Sequence, residues 1–368
     1  MKEKYGQMLP YVSHRSDLTY LIGEMIGELA CSHTYVGGGE YTEFKKPKTG
    51  LLGIDWEADS VSGYYRIKKI LKGENWKDDL RSPLTEPGIE VKEVEYIVAV
   101  DGQPLTMAIS PYSLFVNKAD KLVTLSVNSK PGLKGAREVT VKPIDNESEL
   151  RYYNWVEENR QKVDKATEGK VGYVHIPDMG GNGLNWFAKQ YFPQINKEGL
   201  VIDVRYNGGG FVSEMILERL RRIVVGMGSS RNAADYTYPG TAFYGHMVCL
   251  INEYSASDGD IFPYYFREFG LGPVIGKRTW GGVVGIRGFR PLVDGGYITC
   301  PEFAAFGLDS KWVMENHGVD PDIEVDNLPK LVMEGQDPQL EKGIEILLKK
   351  IKEEPKKLPK RPEYPEKK

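Results

Sequence analysis

The sequence predicts a multidomain α+β protein with an N-terminal helical segment, a small β-rich domain and an α/β domain. Its 368 residues are too many for one ordinary core. Apolar residues near the N-terminus return at helical spacing, and the second half alternates strand-like and helix-like runs. We set the domain limits at 1–44, 45–145 and 146–355, followed by a mobile tail over 356–368 that is rich in Pro and Lys.

Composition and charge favour a globular protein without a nucleic-acid or membrane partner. Apolar residues make up 40% of the chain, charged residues make up 27%, and the formal net charge is −4. No apolar run reaches the ~18 residues of a membrane span, and the N-terminus lacks the apolar stretch of a signal peptide. Cys31, Cys249 and Cys300 are too scattered for a disulfide framework or a zinc site. We therefore expect a cytoplasmic protein whose cysteines are buried apolar filler.

Residues 1–36 predict a helix that docks on a later part of the chain. Apolar residues return every three or four positions and so share one face: Leu18, Leu21, Ile22, Met25, Ile26 and Leu29. We expect the helix to end near Ala30–His33, because a run of glycines follows at 37–39. A helix this short cannot bury its apolar face alone.

From about residue 46 to residue 144 the pattern is that of a small β domain. Short runs of alternating polarity are separated by turns that contain Gly, Pro and Asp. The predicted strands are Leu51–Trp56, Tyr64–Ile70, Glu95–Val100, Leu122–Val127 and Arg137–Val141.

The second half predicts a parallel or mixed α/β sheet after a charged helix over 145–168. Strands and helices alternate from Gly169 onward, which is typical of an α/β domain. The predicted strands are Val171–Ile176, Leu200–Val204 and Gly245–Ile251, with others near Val274 and Tyr297. The predicted helices lie around Trp186–Phe192, Ser213–Val225, Asp258–Phe269 and Pro338–Lys352, and Met227–Gly240 is predicted as a loop.

A first candidate site is the run Val201–Gly210, a strand that ends in three glycines. Glycines let a backbone approach a ligand closely, and free amides at a helix start bind negative charge. The run is compatible with a phosphate cradle, an oxyanion hole or a plain tight turn. No Gly-Lys-Ser/Thr follows, so the spacing does not fit a P-loop.

A second candidate site is the pair of serines, Ser255 and Ser257, between a predicted strand and a predicted helix. Pro263 is tolerated only in the early turns of a helix, so the helix starts close to Ser257. One interpretation is a helix cap. The other is a nucleophile at the positive end of a helix, beside the amide of Asp258. The residues alone leave both interpretations and both serines open.

A third candidate stretch, 315–322, places an acid and a histidine before a turn. Glu315 and His317 are side chains of the types that transfer or stabilise protons in enzymes. The alternative for Glu315 is a surface acid without a chemical role.

The order of these stretches resembles the tail-specific serine peptidases. The matching segments are 203–210, 252–257, 276–281 and 318–322. The resemblance implies a crotonase-like (ClpP-like) α/β catalytic domain and a nucleophile at Ser257. In the β-rich domain, Gly50–Ile54 and Tyr96–Gly102 resemble a PDZ domain, which would bind an extended peptide at a sheet edge and its C-terminus on loop amides.

The catalytic base separates the branches of this family. The best-known branch uses a lysine at the position where this chain has Gly282. The tricorn branch instead uses a Ser-His pair in an N-terminal helical segment, and this chain carries Ser32-His33 there. The resemblance to the tricorn core covers nearly all of the chain, although full tricorn proteins also carry two β-propellers that this sequence lacks.

The tricorn resemblance implies a catalytic tetrad and an oxyanion hole. The tetrad would be Ser257 as nucleophile, His33 as base, and Ser32 and Glu315 as the groups that orient and support the imidazole. The oxyanion would be held by the amides of Gly210 and Asp258. No motif places the residue that sets side-chain preference, and Asp235 is a guess.

We therefore expect a serine endopeptidase that hydrolyses oligopeptides or unfolded polypeptides without a metal or other cofactor. The resemblance also implies a homo-oligomer, a hexamer in this family. Two rival functions are a catalytically silent PDZ-containing peptide-binding protein and a crotonase-type acyl-CoA enzyme. The Asn-x-x-Ser-Ala-Ser motif at 252–257 argues against the acyl-CoA enzyme.

Overall fold

The computed structural model describes residues 1–42 and 44–366, which divide into two compact units. One unit comprises residues 1–42 and 159–366, and the other comprises residues 44–158. Position 43 and the last two residues of the expected tail over 356–368 lie outside the described residues.

The N-terminal segment is less helical than its apolar spacing predicts. It contains α1 (Lys2–Gly6), a 3₁₀ turn (Leu9–Tyr11), α2 (Arg15–Gly27) and strand β1 (Val36–Gly38). The prediction of one helix over 1–36 is therefore wrong: residues 7–14 separate two α-helices, and the second helix ends at Gly27. Ser32-His33 lies in a loop rather than at a helix end. Ala30 and His33 have φ of 50° and 56°, values at which a right-handed helix cannot continue.

The unit of residues 44–158 is built on an antiparallel sheet. Its strands follow the order β2-β3-β4-β6-β7, with β5 added beside β4. Ile67, Ile97 and Leu125 are fully buried in its core. The strands are β2 (Ile54–Asp59), β3 (Tyr64–Ile70), β4 (Tyr96–Val100), β5 (Gln103–Pro104), β6 (Val123–Asn128) and β7 (Arg137–Val141), and the 3₁₀ turns are Asp78–Leu80, Pro83–Thr85 and Pro111–Phe115.

Helices and strands alternate through the rest of the chain, as the sequence predicts. The helices are α3 (Ser148–Ala166), α4 (Gly181–Tyr191), α5 (Ser213–Leu220), α6 (Asp258–Glu268), α7 (Pro329–Met333) and α8 (Pro338–Glu353), with a 3₁₀ turn at Phe192–Gln194. The strands are β8 (Val171–His175), β9 (Gly199–Asp203), β10 (Gly226–Ser230), β11 (Ala233–Tyr238), β12 (His246–Ile251), β13 (Val274–Gly276), β14 (Phe289–Pro291), β15 (Gly296–Thr299) and β16 (Ile323–Glu324).

A parallel sheet with the order β16-β13-β12-β9-β8 forms the centre of the larger unit. Every residue of β8, β9 and β12 is buried, as expected for parallel strands covered on both faces. Because β9 and β12 are parallel neighbours, the loops that follow them leave the same edge of the sheet. These two loops carry the glycine run and the two serines.

A buried ion network joins the end of β9 to the start of α8. The guanidinium of Arg205, which is 1% exposed, lies 2.7 Å from the Asp203 carboxylate and 2.8 Å from that of Asp337. Asp337 also caps α8 by accepting a hydrogen bond from the amide of Leu340. The two acids compensate the buried positive charge, which unpaired would be costly.

Three local features differ from the sequence prediction. The expected loop over Met227–Gly240 contains the β10–β11 hairpin, and α5 ends at Leu220 rather than Val225. The tail forms contacts, since Arg361 pairs with Asp235 at 2.5 Å.

The thiols differ from expectation as well. All three cysteines are free, but of these only Cys249 is buried, whereas Cys31 is partly exposed and Cys300 is exposed. The expectation of buried filler is therefore wrong for Cys300.

Candidate active site

The two serines occupy different environments. Ser255 is fully buried, and its hydroxyl donates to the carbonyl of Val204 at 2.8 Å. Ser257 precedes α6 with φ 58° and ψ −120°, and its side chain makes no capping hydrogen bond to the helix. A positive φ at a residue other than glycine is strained and is concentrated at functional sites. The structure thus leaves the Ser257 hydroxyl available and engages that of Ser255 in the fold.

A glycine opposite Ser257 permits the close approach of the two loops. Gly209 has φ +89°, and a Cβ there would lie 2.6 Å from the Cβ of Ser257. The amide of Ala256 donates to the carbonyl of Asn207 at 2.8 Å, which ties the serine loop to the glycine loop. Glycine at position 209 is therefore required by packing as well as by turn geometry.

His33 is positioned by the chain that leads into β1. The hydroxyl of Thr299 donates to the carbonyl of His33, and the amide of Tyr35 donates to the same hydroxyl oxygen at 2.6 Å. The imidazole packs edge-on against Tyr35 and Trp280, with ring centroids 6.0 and 5.7 Å away. Its Nδ1 lies 2.9 Å from the hydroxyl oxygen of Ser32.

Glu315 accepts a hydrogen bond from the Ser32 hydroxyl and so completes a hydrogen-bonded chain with His33. The Ser32 hydroxyl lies 3.1 Å from Oε2 of Glu315, and the Ser32 amide donates to Oε1 at 2.7 Å. The amides of Val283 and Val284 donate to Oε2 at 2.7 and 2.8 Å. Burial alone would raise the pKa of the Glu315 carboxyl, but these four hydrogen bonds outweigh it and hold the pKa below its usual value.

Ser257 and His33 line the same two cavities. Within the described residues no hydrogen bond joins the Ser257 hydroxyl to the imidazole, a separation that is common in structures without substrate. Burial lowers the pKa of His33 below its usual value, while the Glu315 carboxylate and the carbonyl of Val284 act in the opposite direction. The lowered pKa keeps the imidazole neutral at pH 7, the form that accepts a proton.

Gly210 and Asp258 line the larger of these cavities together with Ser257. Gly210 has φ +151°, and a Cβ there would lie 2.0 Å from the carbonyl oxygen of Met179, so no other residue fits without displacement. The Asp258 carboxylate accepts hydrogen bonds from the amide and hydroxyl of Ser213, which join the starts of α5 and α6. The start of α6 and the loop that carries Gly210 therefore both border the cavity that Ser257 lines.

The larger cavity, which we call the apolar cavity, has a volume of about 600 Å³. Its walls are mainly apolar side chains: Phe211, Leu217, Ile261, Tyr265, Phe269, Val283, Ile286 and Phe303. Glu214 is the one carboxylate other than Asp258 among its described lining residues. Such a wall favours a large apolar group.

A second, more open cavity of about 280 Å³ also reaches Ser257 and His33. We call it the aromatic groove, and its other lining residues are Tyr35, Gly208, Glu253, Tyr254, Ala256 and Trp280. Neither Gly210 nor Asp258 lines this groove. Ser257 therefore lies between an apolar and an aromatic surface.

Sequence reasoning missed Asp260, a buried acid one turn after Ser257. Its Oδ1 accepts a hydrogen bond from the amide of Gly281 at 2.8 Å, and its Oδ2 is buried without a hydrogen-bond partner. Burial raises the pKa of this carboxyl to about 6. Two aromatic neighbours of His33, Tyr35 and Trp280, were also missed. The apolar residues Ile261 and Phe262 directly after Asp260 were a usable signal, but nothing in the sequence indicated the aromatic pair.

Other candidates lie outside the two cavities. His317 is exposed and pairs with Asp320 at 2.6 Å. Asp235 pairs with Arg361 and lines neither cavity. Residues 1–42 and 44–366 contain no group of three or more His, Cys, Asp or Glu side chains arranged for a metal ion. Across the same residues, no helix has the length and apolar character to span a bilayer.

The amides predicted to bind a peptide C-terminus in the β-rich unit are partly used within that unit. The Gly50 amide donates to the carbonyl of Phe115 at 2.9 Å, and the Leu51 amide donates to that of Ile144 at 2.7 Å. Two of the loop donors are therefore engaged by the unit's own chain.

Comparison with known families and proteins agrees with the sequence resemblance. Residues 170–325 match Peptidase family S41, and residues 50–146 match the Tricorn protease PDZ domain. The expected PDZ-like domain is thereby confirmed.

Relatives and a solved structure match nearly the whole chain. The tricorn protease of Thermoplasma acidophilum is 37% identical over 98% of this chain and 33% of its own length. Tricorn protease homolog 1 of Streptomyces coelicolor is 40% identical over 97% of this chain and 33% of its own length. The crystal structure of the tricorn protease has a TM-score of 0.88 and 37% identity, covering 95% of this chain and 34% of that chain. The chain thus spans about a third of these relatives' length; its residues 170–325 belong to peptidase family S41, and nearly its whole length is related to the tricorn protease.

Proposed function

We propose that the chain is a serine peptidase that hydrolyses peptide bonds through an acyl-enzyme. The observation that supports this most strongly is the hydrogen-bonded chain from Glu315 through Ser32 to His33, which ends at the two cavities lined by Ser257. A serine hydroxyl is a poor nucleophile at neutral pH and needs a neighbouring base. The neutral His33 imidazole meets that need.

The proposed reaction follows from these positions. The Ser257 oxygen attacks the carbonyl carbon of the scissile bond while His33 takes the hydroxyl proton. The carbonyl oxygen becomes an oxyanion and accepts hydrogen bonds from the amides of Gly210 and Asp258. Collapse of this intermediate breaks the C–N bond, and the departing amine takes the proton from His33. Water then repeats the sequence on the ester and releases the acid.

Ser32 and Glu315 act through His33. Glu315 is an anion at neutral pH because its pKa is held low, and its charge reaches the imidazolium through the Ser32 hydroxyl. Ser32 fixes the Nδ1 side of the ring, which directs Nε2 to the reaction. A Ser-His-Ser-Glu tetrad results.

The apolar cavity supports a preference for a large apolar side chain on the acyl side of the scissile bond. It shares its wall with the oxyanion amides of Gly210 and Asp258, so an acyl group held there directs its side chain into the cavity. We infer that the substrates are oligopeptides or unfolded polypeptides. An extended chain can place a peptide bond at Ser257 and, at the same time, a side chain in the apolar cavity.

The proposal extends to architecture and assembly. The parallel sheet with Ser257 and Gly210 at one edge supports a crotonase-like catalytic domain. Large exposed apolar side chains such as Leu308, Trp312 and Val293 support a homo-oligomer, with a hexamer as the expected state. Light scattering on the purified chain tests the assembly.

A catalytically silent peptide-binding protein is the second candidate. The observation that favours it is the missing hydrogen bond between Ser257 and His33. Covalent labelling separates the two functions, because only an activated serine reacts with a fluorophosphonate.

The experiment measures fluorophosphonate labelling by intact mass, followed by peptide mapping. One adduct is expected on the wild type, located at Ser257 and absent from Ser257→Ala. His33→Ala is expected to slow labelling by about 100-fold or more. Ser255→Ala is the matched control, since it removes a neighbouring hydroxyl that is already engaged, and it should keep the adduct. A folded wild type that takes no adduct would favour the silent protein.

A further inference from the structure

The aromatic groove has no role in the proposed hydrolysis so far. It is lined by Ser257 and His33 but by neither Gly210 nor Asp258, which both line the apolar cavity. An acyl group bound with its oxygen on Gly210 and Asp258 lies toward the apolar cavity, which contains both. The departing amine must meet His33, which lines the groove as well. The residue that follows the scissile bond therefore enters the aromatic groove.

Three aromatic side chains form the walls of this groove and remain substantially exposed. Tyr35, Trp280 and Tyr254 are 45%, 47% and 62% exposed. Tyr254 is held in place by Tyr206, whose ring stacks on it at 5.6 Å and 19°. Tyr35 and Trp280 are held by their edge-on contacts with His33. Rigid aromatic faces open to solvent are typical binding surfaces for a side chain that has both an apolar stem and a charge.

One carboxylate gives the groove its charge. Glu253 lines it and is exposed, and within the described residues it forms no ion pair or hydrogen bond. No Lys or Arg is present among the described lining residues of the groove. A cation between the ring faces and Glu253 gains both cation–π and Coulomb attraction, whereas an anion is repelled.

Resting on the proposed peptidase function, we propose that the aromatic groove binds a Lys or Arg side chain immediately after the scissile bond. The apolar stem lies against Trp280 and Tyr254, and the charged end meets Glu253. The chain thereby selects an apolar residue before the bond and a basic residue after it.

The test compares internally quenched peptides that differ at one position. All carry Phe before the scissile bond and either Lys, Arg, Gln or Glu after it. Wild type is expected to show a kcat/KM about tenfold higher for Lys and Arg than for Gln, with Glu the lowest. Glu253→Gln should shrink the Lys-to-Glu ratio, and Glu253→Lys should invert it. Glu218→Gln, an exposed acid that lines neither cavity, is the matched control and should keep the wild-type ratio.

Equal kcat/KM values for the four peptides on wild type would overturn the inference, as would a Lys preference that survives Glu253→Lys. A binding measurement keeps this failure distinct from failure of the peptidase proposal. Ser257→Ala is titrated calorimetrically with the Lys and Glu peptides, which requires no chemistry. A Kd at least about fivefold lower for the Lys peptide supports the groove assignment even if wild type is inactive, and equal Kd values overturn it.

Discussion

Replacing Asp260 with Asn should change the pH dependence of stability in a defined direction. The Asp260 carboxyl is fully buried at the start of α6, and its Oδ1 accepts the Gly281 amide. Asn keeps this acceptor and the size of the side chain but cannot ionise. The pH-dependent part of the difference in stability between wild type and Asp260→Asn therefore reports the buried charge.

The magnitude follows from the raised pKa. Burial raises the pKa of Asp260 from 3.8 to about 6 in the folded chain. An acid whose folded pKa is raised stabilises the protein at low pH, and this contribution is lost as the pH rises through the folded pKa. Between pH 5 and pH 8 the wild type should lose about 1.4 kcal/mol of stability from this group, a loss absent from Asp260→Asn.

The assay is urea unfolding at pH 5 and pH 8, followed by hydrogen exchange of the peptide that spans α6. This readout isolates the unit that carries residue 260 from the unit of residues 44–158. Asp309→Asn is the control, because the Asp309 side chain is 58% exposed and its substitution removes no buried charge. A free-energy difference between wild type and Asp260→Asn that is equal at both pH values would refute the reasoning.

Three further substitutions test the site and its support. Glu315→Gln should lower kcat about 100-fold and change KM little, because the charge acts on the imidazolium of the transition state; unchanged peptide hydrolysis would show that Glu315 has no such role. Gly210→Ala should lower kcat about 100- to 1000-fold, because the added Cβ displaces an oxyanion donor. Gly181→Ala is the comparison and should retain activity, because a Cβ at that position meets nothing within 4 Å. Arg205→Met should cost about 3–5 kcal/mol of unfolding free energy in urea, because it leaves two buried carboxylates without their cation, and a loss below about 1 kcal/mol would contradict this account.

The sequence predicted the α/β part most accurately where strands are buried on both faces. The predicted strands Leu200–Val204 and Gly245–Ile251 each lie within one residue of β9 and β12. A continuous apolar run between turn residues identifies such a strand from the local sequence alone. The helix over 1–36 failed because periodicity does not report the positive φ values at Ala30 and His33.

The candidate site was likewise predicted only in part from the sequence. Motif resemblance named Ser257, His33, Ser32 and Glu315, and the structure brings the last three into one hydrogen-bonded chain. Their catalytic roles remain the subject of the labelling experiment. Local pattern alone did not separate Ser255 from Ser257, because both lie near the same helix start.

By itself, the sequence determined the alternation of buried strands and helices in the α/β part, the glycines that permit close backbone approach and the motif that places Ser257 before α6. Only the tertiary structure decided that Ser255 is buried, that Asp260 is a buried acid, and that Tyr35 and Trp280 enclose His33. The physical reason is the distance along the chain between the residues that decide each property. Turns and buried strands depend on neighbouring residues, whereas burial and side-chain contact depend on residues far apart in the chain, 283 positions apart in the case of Ser32 and Glu315.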